Sequence, residues 1–194
     1  MNERDRSGRT ALSHACEKDR RNVVSYLLKK YKDGGIAEML NKHKDDGIIE
    51  SLDRQDQTAL VWAHKAGRVA ILRLLIDNGA DFRCEDRNKR KPLSHAAENG
   101  LRNVVRLLLQ EEPQDMIPET INFKDNAGRT ALSWAAEEGK LGVVQVLLDW
   151  GADVLLRDEK NRTPQMLASD KGLTRIANIL DVHQAKIPGR TQIL

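Results

Sequence analysis

Aromatic residues are scarce in this 194-residue chain, only 4% of it. A compact globular core usually draws on more rings, because each buries a large apolar area. A core of Leu, Val and Ala at regular intervals suits stacked helices instead. Cysteine is rarer still: Cys16 and Cys84 lie far apart and fit no metal-ligand spacing. No apolar run approaches the ~18 residues that cross a bilayer. The first six residues, Met1-Asn-Glu-Arg-Asp-Arg6, are charged and lack the apolar stretch of a secretory leader. These absences place the expected location in a reducing intracellular compartment, cytoplasm or nucleus.

Chemistry-bearing patterns are missing as well. There is no G-x-x-x-x-G-K phosphate loop, no His/Cys/Asp/Glu group at metal-site spacing, and no Ser/His/Asp constellation beyond what repetition generates. His14 and Cys16 are two residues apart on one helix, point different ways and form no dyad. The expectation is therefore no enzyme activity, no catalytic residues, no cofactor and no metal. The chain is 31% charged and 40% hydrophobic, a folded composition rather than a disordered one. Its net charge of +3 argues weakly for any partner, since nucleic-acid binding normally leaves a denser basic footprint.

What is present is a repeat. Thr10-Ala-Leu-Ser-His-Ala-Cys16 aligns with Thr58-Ala-Leu-Val-Trp-Ala-His64, Lys91-Pro-Leu-Ser-His-Ala-Ala97, Thr130-Ala-Leu-Ser-Trp-Ala-Ala136 and Thr163-Pro-Gln-Met-Leu-Ala-Ser169. An Asp stands five residues before each: Asp5, Asp53, Asp86, Asp125 and Asp158, at intervals of 48, 33, 39 and 33. The Thr hydroxyls stand where a helix starts and can satisfy unpaired backbone N–H groups. Ala15, Ala63, Ala96, Ala135 and Ala168 are small enough for close helix contact. Gly67, Gly100, Gly139 and Gly172 fall where that helix should end in a left-handed residue. Apolar pairs four residues apart follow, such as Val143/Val144 with Leu147/Leu148, and make one buried stripe on a second helix.

The segment Asp125–Gly139, continuing through Val143-Val144, Leu147-Leu148 and Gly151-Ala-Asp153, resembles an almost complete ankyrin repeat, and two of the intervals equal that family's period. The resemblance implies an all-α ankyrin-repeat solenoid of five helix–turn–helix repeats joined by β-hairpin loops, covering residues 1–182, with a flexible tail at 183–194. It also resembles long ankyrin arrays of filamentous fungi. Insertions fall within 31–52, where Ile36–Leu40 has room for a helical turn or two, and within 112–124; both are expected to be surface loops. Ile49, Phe82, Ile121 and Val154 are placed at hairpin bases. Ser13, Val61, Ser94 and Ser133 stand where the family usually has His, and Asp56 and Lys89 replace a hairpin glycine. Gln165, Arg175, Asn178 and Asp181 read as a polar C-terminal cap, and Asp19-Arg-Arg-Asn22 as the cap at the other end, so the chain is expected to fold alone.

The resemblance further implies non-catalytic recognition of another protein, by a monomer, through hairpin tips and the concave face of the first helices. Arg9, Gln57, Arg90, Arg129 and Arg162 form one basic line, Arg6, Arg54 and Arg87 a second, and Glu17, Lys65, Glu98, Glu137 and Asp170 a mainly acidic one. The expected contact residues are Arg54, Gln55, Lys65, Arg87, Asn88, Arg90, Glu98, Asn99, Asn126, Arg129, Glu137, Glu138 and Trp150. His14, Trp62, His95, Trp134 and Leu167 share one position and are expected to be core. A regulatory or inhibitory subunit, or the ankyrin part of a larger receptor-like protein, stays open. Nucleic-acid association through the Arg lines is the third and least favoured reading.

Overall fold

The structure is a computed structural model in which residues 3–33, 49–55 and 57–186 are described. It forms two compact units, Met1–Asp86 and Arg87–Leu194.

The first unit holds two repeats, with helices α1 (Ala11–Glu17), α2 (Arg21–Asp33), α3 (Ala59–Lys65) and α4 (Val69–Ile76). Thr10 Oγ1 accepts from the Ser13 amide at 3.3 Å, and Thr58 Oγ1 from the Val61 amide at 3.4 Å, so each first helix starts where its hydroxyl stands. Each ends in a tight reversal. Arg68 N donates to Ala63 O at 2.9 Å across Gly67, and Arg20 N donates to Ala15 O at 2.9 Å across Asp19, which takes up a φ of 55° without being glycine. First helix packs on first helix, α1 on α3, and second on second, α2 on α4. Leu12, Leu60, Ala63, Ile71 and Leu75 are fully enclosed between them.

The second unit repeats the plan three times: α5 (Pro92–Glu98) with α6 (Arg102–Glu111), α8 (Ala131–Glu137) with α9 (Leu141–Asp149), and α10 (Pro164–Asp170) with α11 (Thr174–Ala185). α8 lies between α5 and α10, and α9 packs on α6. Ala96, Ala135 and Ala168 have no exposed surface, as expected of the small residue that lets helices approach. Arg175, Asn178 and Asp181 are exposed on the last helix.

Several expectations change. The hairpins are turns without strand ladders: among the described residues the single bridge joins Arg4 and Thr10. The turns of repeats one, two, four and five are closed by a bond from the Asp amide to the carbonyl four residues on, such as Asp125 N to Arg129 O at 3.0 Å. A carboxylate satisfies further turn amides, which leaves no ladder to extend. The 112–124 insertion is a packed element rather than a surface loop. It contains α7 (Ile117–Ile121), with Ile117 and Ile121 buried. Ile121 is thus a helix residue and not a hairpin base, whereas Val154 is buried and Phe82 and Ile49 are half-buried. α11 runs three residues beyond the expected tail boundary at 182. In repeat one Arg20, Arg21 and Asn22 are exposed, and Val23 and Tyr26 lie exposed beside them. The Ile36–Leu40 stretch, Asp56 and residues 187–194 lie outside the described residues. Lys89 has a φ of 55°, the left-handed value that Gly8 and Gly128 adopt freely at the same repeat position.

Candidate functional site

The hairpin tips are built on the aspartates. Asp125 Oδ1 accepts from the amides of Ala127 and Arg129, both at 2.9 Å, and its Oδ2 accepts from Trp134 Nε1 at 2.9 Å. Asp53 repeats the arrangement with Gln55 N, Gln57 N and Trp62 Nε1 at 2.8, 3.0 and 3.0 Å. His14 Nε2 lies 2.8 Å from Asp5 Oδ2. In repeat five Leu167 has no polar atom to offer, and Arg162 supplies the bond instead, with Nε and a terminal nitrogen 3.0 and 2.8 Å from Asp158 Oδ2. His14, Trp62 and Trp134 are therefore half-buried braces that tie the first helix to its own tip, not interior core residues. The signal was present in the sequence as an Asp followed nine residues later by His or Trp.

These bonds show in the acid–base chemistry. The Ser7 hydroxyl, then His14 and the Arg9 amide, hold the Asp5 carboxyl well below the usual carboxylate range. Burial pushes Asp158 upward, but the backbone and side chain of Arg162 outweigh it and leave it lowered. The Arg9 side chain lowers Glu17.

Adjacent tips are joined through the backbone. Arg54 N donates to Ser7 O in the first unit; Asn126 N donates to Asn88 O and Glu159 N to Ala127 O in the second, all at 3.0 Å. Ser13 and Ser133 do not reach a neighbouring hairpin. Their hydroxyls lie 3.2 Å from those of Thr10 and Thr130 and complete the local helix caps.

The arginine line is the main correction. Arg9, Arg90 and Arg129 are not exposed fingertip charges: only 12% to 14% of each side chain is accessible. Arg9 pairs with Glu17 at 2.8 Å, Arg90 with Glu98 at 2.6 Å and Arg129 with Glu137 at 2.5 Å. Each guanidinium also covers an indole. Arg9 lies 3.7 Å from the Trp62 centroid, and Arg90 and Arg129 lie 4.1 and 4.5 Å from that of Trp134. An extended guanidinium stacks on a ring while forking to a carboxylate, and this leaves the side chain with little reason to face water.

The other expected contact residues are distributed as follows. Arg54, Gln55 and Lys65 are exposed in the first unit, with Lys65 Nζ 5.8 Å from the Trp62 ring. In the second unit Arg87, Asn88 and Asn126 are exposed on tips, and Asn99 and Glu138 at the ends of first helices. Glu98 and Glu137 are half-buried by their arginines. Trp150 is half-buried at the C-cap of α9 and shares no element with the tips. Among the described residues no group of three His, Cys, Asp or Glu could hold a metal, and no helix is long and apolar enough to cross a membrane. Cys16 and Cys84 are free thiols, pushed up to about 12 and about 11, in each case chiefly by burial.

Comparison with known proteins agrees with this architecture. A family model described as ankyrin repeats (3 copies) matches residues 31–118, 78–158 and 114–188, and an ankyrin-repeat model matches residues 7–35. An ankyrin repeat and KH domain-containing protein of Caenorhabditis briggsae is 33% identical over 139 residues, which is 71% of this chain and 5% of the relative. The B-cell lymphoma 3 protein homolog of Mus musculus is 36% identical over 124 residues, 63% of this chain and 26% of the relative. Diacylglycerol kinase zeta of Rattus norvegicus is 30% identical over 125 residues, 64% of this chain and 13% of the relative. The chain thus spans between a twentieth and about a quarter of the length of these relatives.

Proposed function

The chain belongs to the ankyrin-repeat family, and from that premise we propose that it is a non-catalytic scaffold that recognises another protein. Ankyrin repeats generally mediate protein–protein interaction. In the second unit the contact surface of this reading consists of the tip residues Arg87, Asn88 and Asn126 with Asn99 and Glu138 beside them. Repeat two offers Arg54, Gln55 and Lys65 as the corresponding set in the first unit.

The observation that carries the reading is a division of labour among the charged residues. Arg90 and Arg129 are consumed by Glu98, Glu137 and Trp134. The tips above them stay exposed and are held in register by Asn126 N to Asn88 O and by Asn126 Nδ2 to Arg87 O at 3.3 Å. Side chains on rigid, regularly spaced supports lose little conformational freedom on binding, so modest contacts yield useful affinity. The same pairing weakens the case for nucleic acid, since arginines already matched by carboxylates release no counterions from phosphates.

Affinity capture followed by mass spectrometry, with matched variants, tests this. Arg87→Glu with Glu138→Lys should reduce capture of the partner at least about tenfold, equivalent to about 1.4 kcal/mol. Arg106→Glu with Gln145→Glu, exposed on the second helices, should leave capture intact. The reverse outcome would move the partner to the second-helix side and overturn the reading. A steep loss of affinity with salt for a nucleic-acid probe would favour the third reading. The identity of the captured protein separates an adaptor from an inhibitory subunit.

A further inference from the structure

Asparagine is followed directly by glycine twice in the chain, at Asn78-Gly79 and Asn99-Gly100. The pair is chemically labile, because glycine has no side chain to shield its amide nitrogen from the neighbouring side-chain carbonyl. Asn99 stands in the turn between α5 and α6. The corresponding residues of the other repeats are Lys18, Ala66, Glu138 and Lys171, so repeat three alone carries the reactive pair at this turn. Asn99 is exposed, and water therefore has access to it.

The folded turn holds both reacting groups out of position. Asn99 Nδ2 donates to His95 O at 2.9 Å, which ties the side-chain amide to a carbonyl near the end of α5. Gly100 N donates to Ala97 O at 3.2 Å. Asn99 has a ψ of 0°, so Gly100 N eclipses the nitrogen of Asn99 and is turned away from its Cβ. A five-membered imide ring needs that nitrogen beside Cβ. Reaching it means rotating ψ and swinging Gly100 and Leu101 out of the turn. The bond from Leu101 N to Ala96 O, at 2.9 Å, resists this. Repeat four resists it too. A Cβ built on Gly100 would meet Lys140 Cδ at 3.0 Å and Cγ at 3.5 Å, so the lysine stem lies against the glycine. Asn78 is tied in the same way, Nδ2 to Leu74 O at 2.7 Å and Gly79 N to Ile76 O at 2.8 Å. Gly79 has no such cover: a Cβ there would meet nothing within 4 Å among the described residues.

We propose that Asn99 is a site of non-enzymatic modification, converted to aspartate and isoaspartate only when the α5–α6 turn opens from under Lys140. Once ψ is released, Gly100 N gives up its proton and attacks Asn99 Cγ. The N–Cγ bond forms, the Cγ–Nδ2 bond breaks, and the NH2 group leaves with a proton as ammonia. Water then opens the resulting succinimide at either carbonyl. Cleavage of N–Cγ yields aspartate. Cleavage at the original backbone carbonyl yields isoaspartate, whose main chain runs through Cβ and Cγ. Both products set a carboxylate beside Glu98 in place of a neutral amide. Isoaspartate also adds a methylene to the turn, so Leu101 N no longer lines up with Ala96 O. Local opening of repeat three, an event normally erased by reclosing, is thereby recorded covalently.

The test incubates the full chain at mildly alkaline pH, with and without urea, then digests it at low pH for peptide mass mapping. The mass gained when NH2 becomes OH reports conversion at each asparagine. Conversion at Asn99 should be at least about tenfold slower in the folded chain than in urea, because the rate follows the open fraction. Lys140→Ala should speed it at least about threefold in the folded chain by lifting the cover. Asn78, in the other unit, should keep its parent rate. Lys140→Met, which retains a stem of similar length without the charge, should match the parent at Asn99. Helicity by circular dichroism reports whether each variant is folded, and Lys140→Ser replaces Lys140→Ala if it is not. Equal rates at Asn99 with and without urea, or no conversion in urea, would overturn the proposal. So would a Lys140→Ala chain that leaves Asn99 unchanged or speeds Asn78 equally, or Lys140→Met behaving as Lys140→Ala.

Discussion

The guanidinium of Arg90 lies over the indole of Trp134 in the next repeat, 4.1 Å from the ring centroid. The same guanidinium pairs with Glu98 of its own repeat at 2.6 Å. One side chain therefore joins a tip, its own first helix and the neighbouring repeat. Arg129 approaches Trp134 as well, at 4.5 Å, while Asp125 accepts from the indole N–H. A double-mutant cycle between Arg90→Ala and Trp134→Ala, followed by chemical denaturation, should return a coupling of about 0.5–2 kcal/mol, the range of a partly desolvated cation–π contact. Additive effects would show the two side chains to be energetically independent.

Packing of the central repeat gives a second expectation. Leu132 and Ala135 have no accessible surface. Leu132→Ala should cost about 2–5 kcal/mol through lost transfer energy and the cavity left behind. Ala135→Leu should cost about 1–3 kcal/mol by overfilling the contact of α8 with its neighbours. Denaturation curves matching the parent for both would contradict the repeat register.

The tip of repeat three carries a conformational cost. Lys89 adopts a φ of 55° where Gly8 and Gly128 stand in repeats one and four. A side chain in that region costs roughly 1 kcal/mol relative to glycine, offset in part by the greater freedom of glycine in the unfolded chain. Lys89→Gly should leave stability unchanged or raise it by up to about 1 kcal/mol, measured as a shift in the denaturation midpoint at constant slope. A marked loss would mean that the lysine side chain makes a compensating contact.

Acid should loosen the tips. Asp5, Asp158 and Glu17 are each lowered in the folded chain by hydrogen bonds that unfolding removes. Their contribution is fully present above the ordinary carboxylate pKa of about 4 and is lost as pH falls through that value toward the lower folded ones. Thermal denaturation of the parent should fall off over that window. Asp158→Asn should be less stable at neutral pH and show a shallower fall, whereas an identical pH profile would remove Asp158 from the account.

Local chemistry made the repeat legible. A hydroxyl before a helix, a small residue inside it and a glycine after it each impose a backbone conformation, and Thr130, Ala135 and Gly139 take up the roles their types imply. Contacts between elements were harder to read. Arg90 and Glu98 stand eight residues apart, a spacing that puts the arginine on a tip and the glutamate near a helix end. Nothing in that spacing reveals that a long flexible cation folds back across a ring 44 residues away. Trp134 read as core for the same reason: its apolar body sits under the arginines while its N–H turns to Asp125. The 112–124 segment looked like a loop because Pro113 and Pro118 interrupt it. Pro118 instead sits in the first turn of α7, where a missing N–H costs nothing.

The central claim is that Arg90 and Arg129 hold the repeats of the second unit together while Arg87 stands exposed on its tip. Equilibrium chemical denaturation of Arg90→Glu, Arg129→Glu and Arg87→Glu tests it most directly. Reversing a largely buried, paired charge should cost about 3 kcal/mol for Arg90 and for Arg129, while an exposed tip substitution should stay within about 0.5 kcal/mol of the parent for Arg87. Three curves that coincide with the parent would contradict the claim and return Arg90 and Arg129 to the solvent-facing surface.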